Sequence, residues 1–340
     1  MGIYGINPTL IYLGGDRRMR RPIRVGITGA GMTVPWFLEA AEQIPEMEVG
    51  ALFARKEEKR RELCEKYQIP ASYDSYEKLL ADDSLDVLYL PLPNSLHYSF
   101  AKQALEAGKH LIMEKPFTVT YAEAAELAEL AEKKGLILFE AVTNQYNPNY
   151  EKVRELLPGL GDIKIVQIDF AQYSSRYDAF KQGNITPVFD VNKAGGALFD
   201  LNVYNIHFVT GLFGEPAGVH YFPNIEQGVD TSGILILEYP SFKCACIAAK
   251  DCAAPLSVNI QGDKGCIFSH SNTSRFPEFS YQENGKEAVH YELVKNVPVF
   301  YDELRAFADY WIKDDRETFR QRLDQSLLVM KVLDRARGIE

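Results

Sequence analysis

The chain has 340 residues, 46% hydrophobic and 25% charged, with 24 Gly, 17 Pro and 5 Cys. At roughly 150 residues per domain this length suggests about two domains, and the composition excludes a disordered, collagen-like or coiled-coil chain. Acidic residues outnumber basic ones, 47 against 37, for a formal charge of −10. A broad phosphate-neutralising surface is therefore not expected, and nucleic acid is not an expected partner. No stretch approaches the ~18 consecutive apolar residues of a membrane span, so no membrane partner is expected either.

The cysteines are Cys64, Cys244, Cys246, Cys252 and Cys266. Their odd number and the lack of paired CxxC knuckles predict reduced thiols in a cytoplasmic protein, with no metal site. Residues 1–21 read as an N-terminal extension outside the fold. They lack the basic start, long apolar core and small-residue cleavage site of a signal peptide, and Met19 stands just before the first strong strand.

From Ile23 short apolar runs alternate with helical stretches. Ile23–Thr28 reads as a strand buried on both faces, followed by Gly29-Ala-Gly31 and a helix from Pro35 to Gln43. Glu48–Ala54 is a second strand and Lys56–Tyr67 a charged surface helix. Leu85–Leu90 is a strand closed by Pro91-Leu-Pro93-Asn94, and Ser95–Ala107 a helix stopped by Gly108. Lys109–Met113 is a strand, Thr120–Lys134 a helix capped by Thr120 and Gly135, and Leu136–Val142 a further strand. This alternation predicts an α/β unit over residues 22–142, a doubly wound parallel sheet that would hold a dinucleotide.

Beyond about residue 150 the rhythm changes. Ile163–Gln172, Gly218–Pro223, Gly233–Tyr239, Lys243–Ala249, Leu256–Gly262, Gly265–Ser269 and Ala288–Val294 read as strands. One helix near Phe199–Leu212 interrupts them, and Tyr301–Ile312 and Thr318–Arg337 close the chain. Residues 143–340 are thus expected to form an α+β domain with a large, open-faced, mostly antiparallel sheet.

The first strand-to-helix turn, Gly26-Ile-Thr-Gly29-Ala-Gly31-Met32-Thr33-Val34, stands where a dinucleotide pyrophosphate would sit. Gly29 permits the tight turn and Gly31 a close backbone approach, although Val34 replaces the third small residue of the full fingerprint. A turn without a ligand and a methyltransferase are the competing readings. At the end of the second strand, Ala54-Arg55-Lys56 offers no acid for a ribose 2′-hydroxyl. Arg55 and Lys56 suit a 2′-phosphate, which favours NADP over NAD, unless both are merely solvated residues opening a charged helix. Glu48 lies too early in the strand to reach the ribose.

Leu111-Ile-Met-Glu114-Lys115-Pro116 puts a lysine at the carboxyl end of a buried strand. Partial desolvation there is expected to lower its pKa and suit it to proton transfer. The alternative is a lysine snorkelling to water. Pro116 is a candidate for a cis peptide bond.

Taken with Pro93-Asn94-Ser-Leu-His97 and Gly195-Gly-Ala-Leu-Phe-Asp200, these motifs resemble the Gfo/Idh/MocA oxidoreductases in order and spacing from about Arg24 to the C-terminus. The resemblance implies a Rossmann domain for NAD(P), with Gly29, Gly31, Met32, Thr33, Ala54, Arg55, Lys56, Pro93, Asn94, His97, Glu114 and Lys115 around the cofactor. It also implies hydride transfer on a sugar, cyclic polyol or related small molecule, with Lys115 as the catalytic lysine. A homodimer or homotetramer through the second sheet follows as well. Where many members have Asp-x-x-x-His, this chain has Asp200-Leu-Asn-Val-Tyr204, as in the glucose–fructose oxidoreductase and dihydrodiol dehydrogenase branches. Gln145 stands where an Arg is common.

At i, i+4 and i+7, Asp200, Tyr204 and His207 are expected to share a helix face toward the cleft. Tyr204 is the expected proton relay beside Lys115, and Asp200 its orienting partner. His207, Gln145, Tyr173 and Arg176 are the expected substrate contacts. A non-catalytic NADP-binding sensor on the same fold is the alternative, although it need not retain Lys115.

Overall fold

The computed structural model describes residues 21–339. The extension expected over residues 1–21 lies outside them except for Arg21, whose guanidinium donates two 2.7 Å hydrogen bonds to Asp86. The first layer contains β1 (Ile23–Thr28), α1 (Val34–Ala41), β2 (Met47–Phe53), α2 (Glu57–Tyr67), β3 (Ala71–Tyr73), α3 (Tyr76–Leu80), β4 (Val87–Leu90), α4 (His97–Glu106), β5 (His110–Glu114), α5 (Tyr121–Lys134) and β6 (Leu138–Ala141). The strands pair in parallel in the order β3-β2-β1-β4-β5-β6. This is the doubly wound sheet that the alternation predicts. Val25, Ile27, Val87 and Leu88 are wholly buried, which is why these strands read as unbroken apolar runs. Strand order reverses between β1 and β4, so a crevice opens at their carboxyl ends. Thr120 and Glu123 form a capping box that starts α5, and Gly135 ends it at φ 66°.

The second layer follows α6 (Pro148–Leu156) and contains β7 (Ile163–Ala171), α7 (Tyr177–Lys181), α8 (Val203–Phe213), β8 (Gly218–Glu226), β9 (Val229–Glu238), β10 (Lys243–Ala249), β11 (Ser257–Gly262), β12 (Gly265–Ser269), β13 (Phe279–Glu283) and β14 (Val289–Tyr291). Their order is β14-β13-β12-β11-β7-β10-β9-β8, with β7 and β10 parallel and the other pairs antiparallel. Alternation puts Val166, Ile168, Leu235, Leu237, Cys244, Cys246 and Val258 on one fully buried face. The opposite face is open and carries Ile165, Phe222 and Ile234, all exposed.

Three features differ from expectation. The helix expected over Phe199–Leu212 comes in two pieces, a π-helical turn over Leu198–Asn202 and then α8. The short β3, α3, α6 and α7, and the strand β13, were not read from the sequence. The last helices, α9 (Tyr301–Ile312) and α10 (Arg316–Ala336), follow the second sheet in the chain but pack partly on the first. Phe300, Leu304, Phe307, Ala308 and Phe319 join Phe37, Tyr89, Ile112 and Phe139 in one buried cluster. Apolar residues spaced three and four apart on α9 cover a face of the parallel sheet that residues 22–142 leave bare. Part of residues 143–340 thus contributes to the core of the first sheet. Among the described residues, no helix is long and apolar enough to cross a membrane, and no cluster of His, Cys, Asp or Glu could hold a metal.

Candidate active site

The crevice at the β1/β4 switch is a cleft of about 400 Å³ between the two layers. Gly31, Met32 and Thr33 line one wall, Glu114 and Lys115 the floor, and Val188, Gly195 and Asp200 the other wall.

Gly29 sits at φ 121°, a conformation closed to residues with a Cβ. Its N–H donates to the Phe53 carbonyl at 2.7 Å, tying the turn to the end of β2. At Gly31 a Cβ would lie 3.2 Å from the Pro91 carbonyl oxygen. Thr33 caps α1 without a side-chain hydrogen bond, leaving the first-turn N–H groups without a side-chain acceptor. Met32 is 65% exposed. A cradle of this kind fits the pyrophosphate of a nicotinamide dinucleotide, since a backbone without side chains lies against a helix N-terminus. At the end of β2, Ala54 is buried and its carbonyl accepts a 2.8 Å bond from Arg60, a residue the sequence reading passed over. Arg55 and Lys56 beside it are exposed and outside the cleft proper.

Pro93 and Asn94 line the cleft, and the Asn94 amide donates to the Ala194 carbonyl at 2.9 Å, joining the two layers across it. His97 does not reach the cleft. It is wholly buried, with Nε2 2.8 Å from the Leu92 carbonyl and Nδ1 2.9 Å from that of Pro116. Its effect on a cofactor would come through those two loops. The Lys115–Pro116 bond is cis.

Lys115 stands at the centre. Its Nζ donates to the Asp200 backbone oxygen at 3.0 Å, lies 3.2 Å from Asp200 Oδ1, and sits 4.7 Å from the centre of the Tyr204 ring. The π turn, whose bonds skip one residue more than an α-helix, brings both Asp200 and Tyr204 to this lysine. The expected lowering of the Lys115 pKa does not occur. Burial does work against the ammonium, but Tyr204, Asp200 and Glu114 outweigh it and hold it above its ordinary value. Burial also opposes the Asp200 charge, yet Lys115 and Lys250 keep that carboxyl well below the usual range. The Tyr204 phenol is pushed up to about 12 by burial, with Lys115 pulling the other way. Burial raises Glu114 as well, although its carboxylate accepts a 2.5 Å bond from the Tyr89 hydroxyl, whose oxygen in turn accepts from the Thr33 hydroxyl at 3.1 Å.

Several expected substrate contacts lie elsewhere. His207, three residues after Tyr204 on α8, is wholly buried with Nε2 3.3 Å from Glu140 on β6, away from the cleft. Gln145 is buried behind the same helix and donates to the His207 carbonyl at 2.9 Å. Tyr173 is exposed and hydrogen-bonds Asp178 outside the cleft. Arg176 does line the cleft, with its guanidinium 3.0 Å from the Met32 sulfur on the facing wall.

Sequence reasoning missed Lys250, which follows β10. Its ammonium donates to Asp200 Oδ2 at 2.8 Å and to the Val188 carbonyl at 2.7 Å, almost wholly out of water. The available signal was a lysine closing an apolar strand, the same one that drew attention to Lys115.

Residues 23–142 match the model of an oxidoreductase family with an NAD-binding Rossmann fold, GFO_IDH_MocA, and residues 150–268 match the GFO/IDH/MocA C-terminal domain. The NADP(+) scyllo-inositol 2-dehydrogenase of Bacillus subtilis is 28% identical over 317 residues, covering 93% of this chain and 96% of its own. A trans-1,2-dihydrobenzene-1,2-diol dehydrogenase from Mus musculus is 31% identical over 255 residues, covering 72% of this chain and 73% of its own. A crystal structure of a 3-ketoreductase from Actinomadura kijaniata, in complex with NADP and TDP-benzene, superposes with TM-score 0.80 at 25% identity. That superposition covers 94% of this chain and 98% of the other.

Proposed function

The chain belongs to the Gfo/Idh/MocA family and is an NAD(P)-dependent oxidoreductase, and from that premise we propose that it moves a hydride between NADP and a CH–OH or ketone carbon of a sugar or cyclic polyol. The observation that carries this reading is the Lys115 ammonium in the cleft, held between Asp200 and the Tyr204 ring. The nicotinamide supplies or accepts the hydride when bound. Gly29, Gly31 and the start of α1 hold the pyrophosphate, and Arg55 and Lys56 take the 2′-phosphate.

The residues of this chain manage the proton. In the resting site Lys115 and Tyr204 are both protonated at neutral pH, since one is held above its ordinary value and the other is raised to about 12. Both are therefore donors. In reduction, Lys115 donates to the carbonyl oxygen as negative charge builds there, with the Tyr204 hydroxyl as relay. In oxidation one of the pair must first lose its proton to accept that of the substrate hydroxyl. Alcohol oxidation is therefore expected to quicken as pH rises through the alkaline range, while ketone reduction is not. Asp200 fixes the Lys115 ammonium through its side chain and backbone oxygens. Arg176 closes the mouth of the cleft beside Met32 and reaches substrate hydroxyls.

The test begins with NADPH fluorescence titration, then follows nicotinamide absorbance across a panel of cyclic polyols, aldoses and ketoses. Turnover with a member of that panel is expected, and binding without any turnover would return the chain to the sensor reading. Replacing Arg55 and Lys56 together by Ala is expected to raise the Kd for NADP about tenfold or more and leave that for NAD within about twofold. Equal losses for both cofactors would remove the two side chains from the 2′-phosphate.

The open sheet face gives the proposed assembly, a homodimer or homotetramer. Phe222 pairs with Ile234, and Ile234 with Ile247, in one apolar row across β8, β9 and β10. Exposed apolar rows of this kind mark protein contacts. Ile234→Asp is expected to yield monomers by sedimentation velocity, and an unchanged mass would exclude this face. All five cysteines are free, which suits a reducing compartment such as the cytoplasm.

A further inference from the structure

The Asp200 carboxylate is shared by two lysines. Lys115 holds Oδ1 at 3.2 Å from the cleft side, and Lys250 holds Oδ2 at 2.8 Å from behind. Lys250 is 2% exposed, yet its remaining contacts are neutral. They are the Val188 carbonyl at 2.7 Å and the Phe189 ring, whose centre lies 4.5 Å from Nζ. A buried ammonium is expensive, and a strand end next to solvent could have placed it in water. Its position behind Asp200 has an electrostatic consequence. With Lys250 charged, one negative carboxylate faces two positive groups, and the trio keeps a net positive charge toward the cleft. Without that charge, Asp200 would neutralise Lys115 alone.

We propose that Lys250 is a positioning residue for proton transfer: it holds the far oxygen of Asp200 so that this carboxylate orients the Lys115 ammonium without cancelling its charge. The inference rests on the proton-transfer role of Lys115 given above. Asp200 and Lys115 face Lys250 directly or across the carboxylate, and Asp230 on β9 adds a more distant negative charge. Facing Lys115 are Asp200 on the π turn, Tyr204 on α8 and Glu114 on its own strand. Burial lowers the pKa of Lys250, with Asp200 opposing the fall, so its proton is the more easily lost of the two.

The sign follows. Removing the Lys250 charge leaves Asp200 wholly to Lys115, which stabilises that ammonium and raises its pKa further. The free amine that alcohol oxidation requires then becomes scarcer, and the rate limb moves to higher pH. A residue that merely clamps the Val188 segment would alter substrate or cofactor affinity and leave the protonation of Lys115 unmoved.

Competitive acetylation of Lys115 with acetic anhydride, read by mass spectrometry in the full-length protein at pH 9, measures its free-amine fraction without any substrate. In Lys250→Gln, which keeps a donor for the Val188 carbonyl, the Lys115 rate is expected to fall about tenfold, the effect of roughly one pKa unit. Lys250→Arg, which keeps the charge, is expected to restore it. With NADP and scyllo-inositol as probe alcohol, kcat for oxidation at pH 8 is expected to fall by a similar factor, with KM within about twofold. An unchanged acetylation rate in Lys250→Gln, or a loss that Lys250→Arg does not rescue, would overturn the proposal. Should Lys250→Gln not fold, Lys250→Met carries the same measurement. The reading beneath it fails differently: an enzyme indifferent to Lys115→Ala would refute proton transfer at Lys115, whatever happens at Lys250.

Discussion

Lys115→Ala is expected to cut turnover by ~10²–10⁴-fold while NADPH binds within about threefold of the parent, because the change removes one positioned proton donor and leaves the backbone cradle intact. The magnitude follows from geometry. The lysine ties Asp200 to the Tyr204 ring, so its loss also frees the groups that would otherwise replace it. Lys115→Arg should recover little, since a guanidinium keeps the charge but surrenders its proton far less readily and demands a planar set of acceptors. Tyr204→Phe separates the two donors. If Tyr204 is the relay, the phenylalanine variant loses the alkaline rise in oxidation, whereas an unaltered profile assigns the whole transfer to Lys115. NADPH fluorescence and steady-state absorbance on the same preparations check both halves. Turnover of Lys115→Ala within tenfold of the parent would move the chemistry elsewhere.

Asp200→Ala should be the most damaging single change to stability in the cleft, at about 3 kcal/mol in urea unfolding at pH 7. It leaves two ammonium groups facing one another with no anion between them. The figure sits at the low end for a broken buried pair because the Asp200 side chain is 32% open to the cleft, whereas that of Lys250 is only 3% exposed. The pH dependence is as diagnostic as the size. In the parent, Asp200 has a depressed folded pKa, so its stabilisation is present above the ordinary carboxylate range and disappears as acid protonates it. In Asp200→Ala, Lys250 loses the partner that supports its charge and falls further below its unfolded value. The unfolded chain then binds more protons than the native one over that interval, so the variant should regain stability as pH rises toward 10. Asp200→Asn, which keeps an acceptor oxygen, should lose less. A variant as stable as the parent at pH 7 would mean that neither lysine depends on this carboxylate.

The parallel sheet was legible in the chain because strands buried on both faces carry no alternation to confuse the reading, and because Gly29, Thr120 and Gly135 mark turns and caps by local chemistry. Lys115 and Asp200 could be picked out for the same reason, as charged residues standing next to apolar runs and glycine turns. Their effect on one another could not. The lowered pKa expected for Lys115 rested on burial alone; of the groups that oppose it, only Glu114 is a neighbour in sequence, while Asp200 lies 85 positions away and Tyr204 further still. His207 was misplaced because helical spacing groups Tyr204 and His207 on one broad face, whereas on α8 the first meets Lys115 and the second is buried against Glu140. Gln145 was placed by analogy with an arginine, but its amide meets a helix carbonyl behind the site. Lys250 was lost among ordinary lysines, since its strand end meets Asp200 only once the second sheet has formed.

The return of α9 and α10 to the first sheet sets an order of events on the ribosome. Phe139 on β6 lies against Phe307 and Phe319, with ring centres 5.3 and 6.0 Å apart, so the underside of the cofactor-binding sheet is completed by residues that come after the second sheet in the chain. A nascent chain that has exposed only its first half carries that apolar surface uncovered, and the usual sequence of domains maturing one after another from the N-terminus is closed to it. The first layer therefore cannot complete its core until α9 and α10 have been made. Until then Phe139 and its neighbours on that sheet lack the aromatic cover that Phe307 and Phe319 provide.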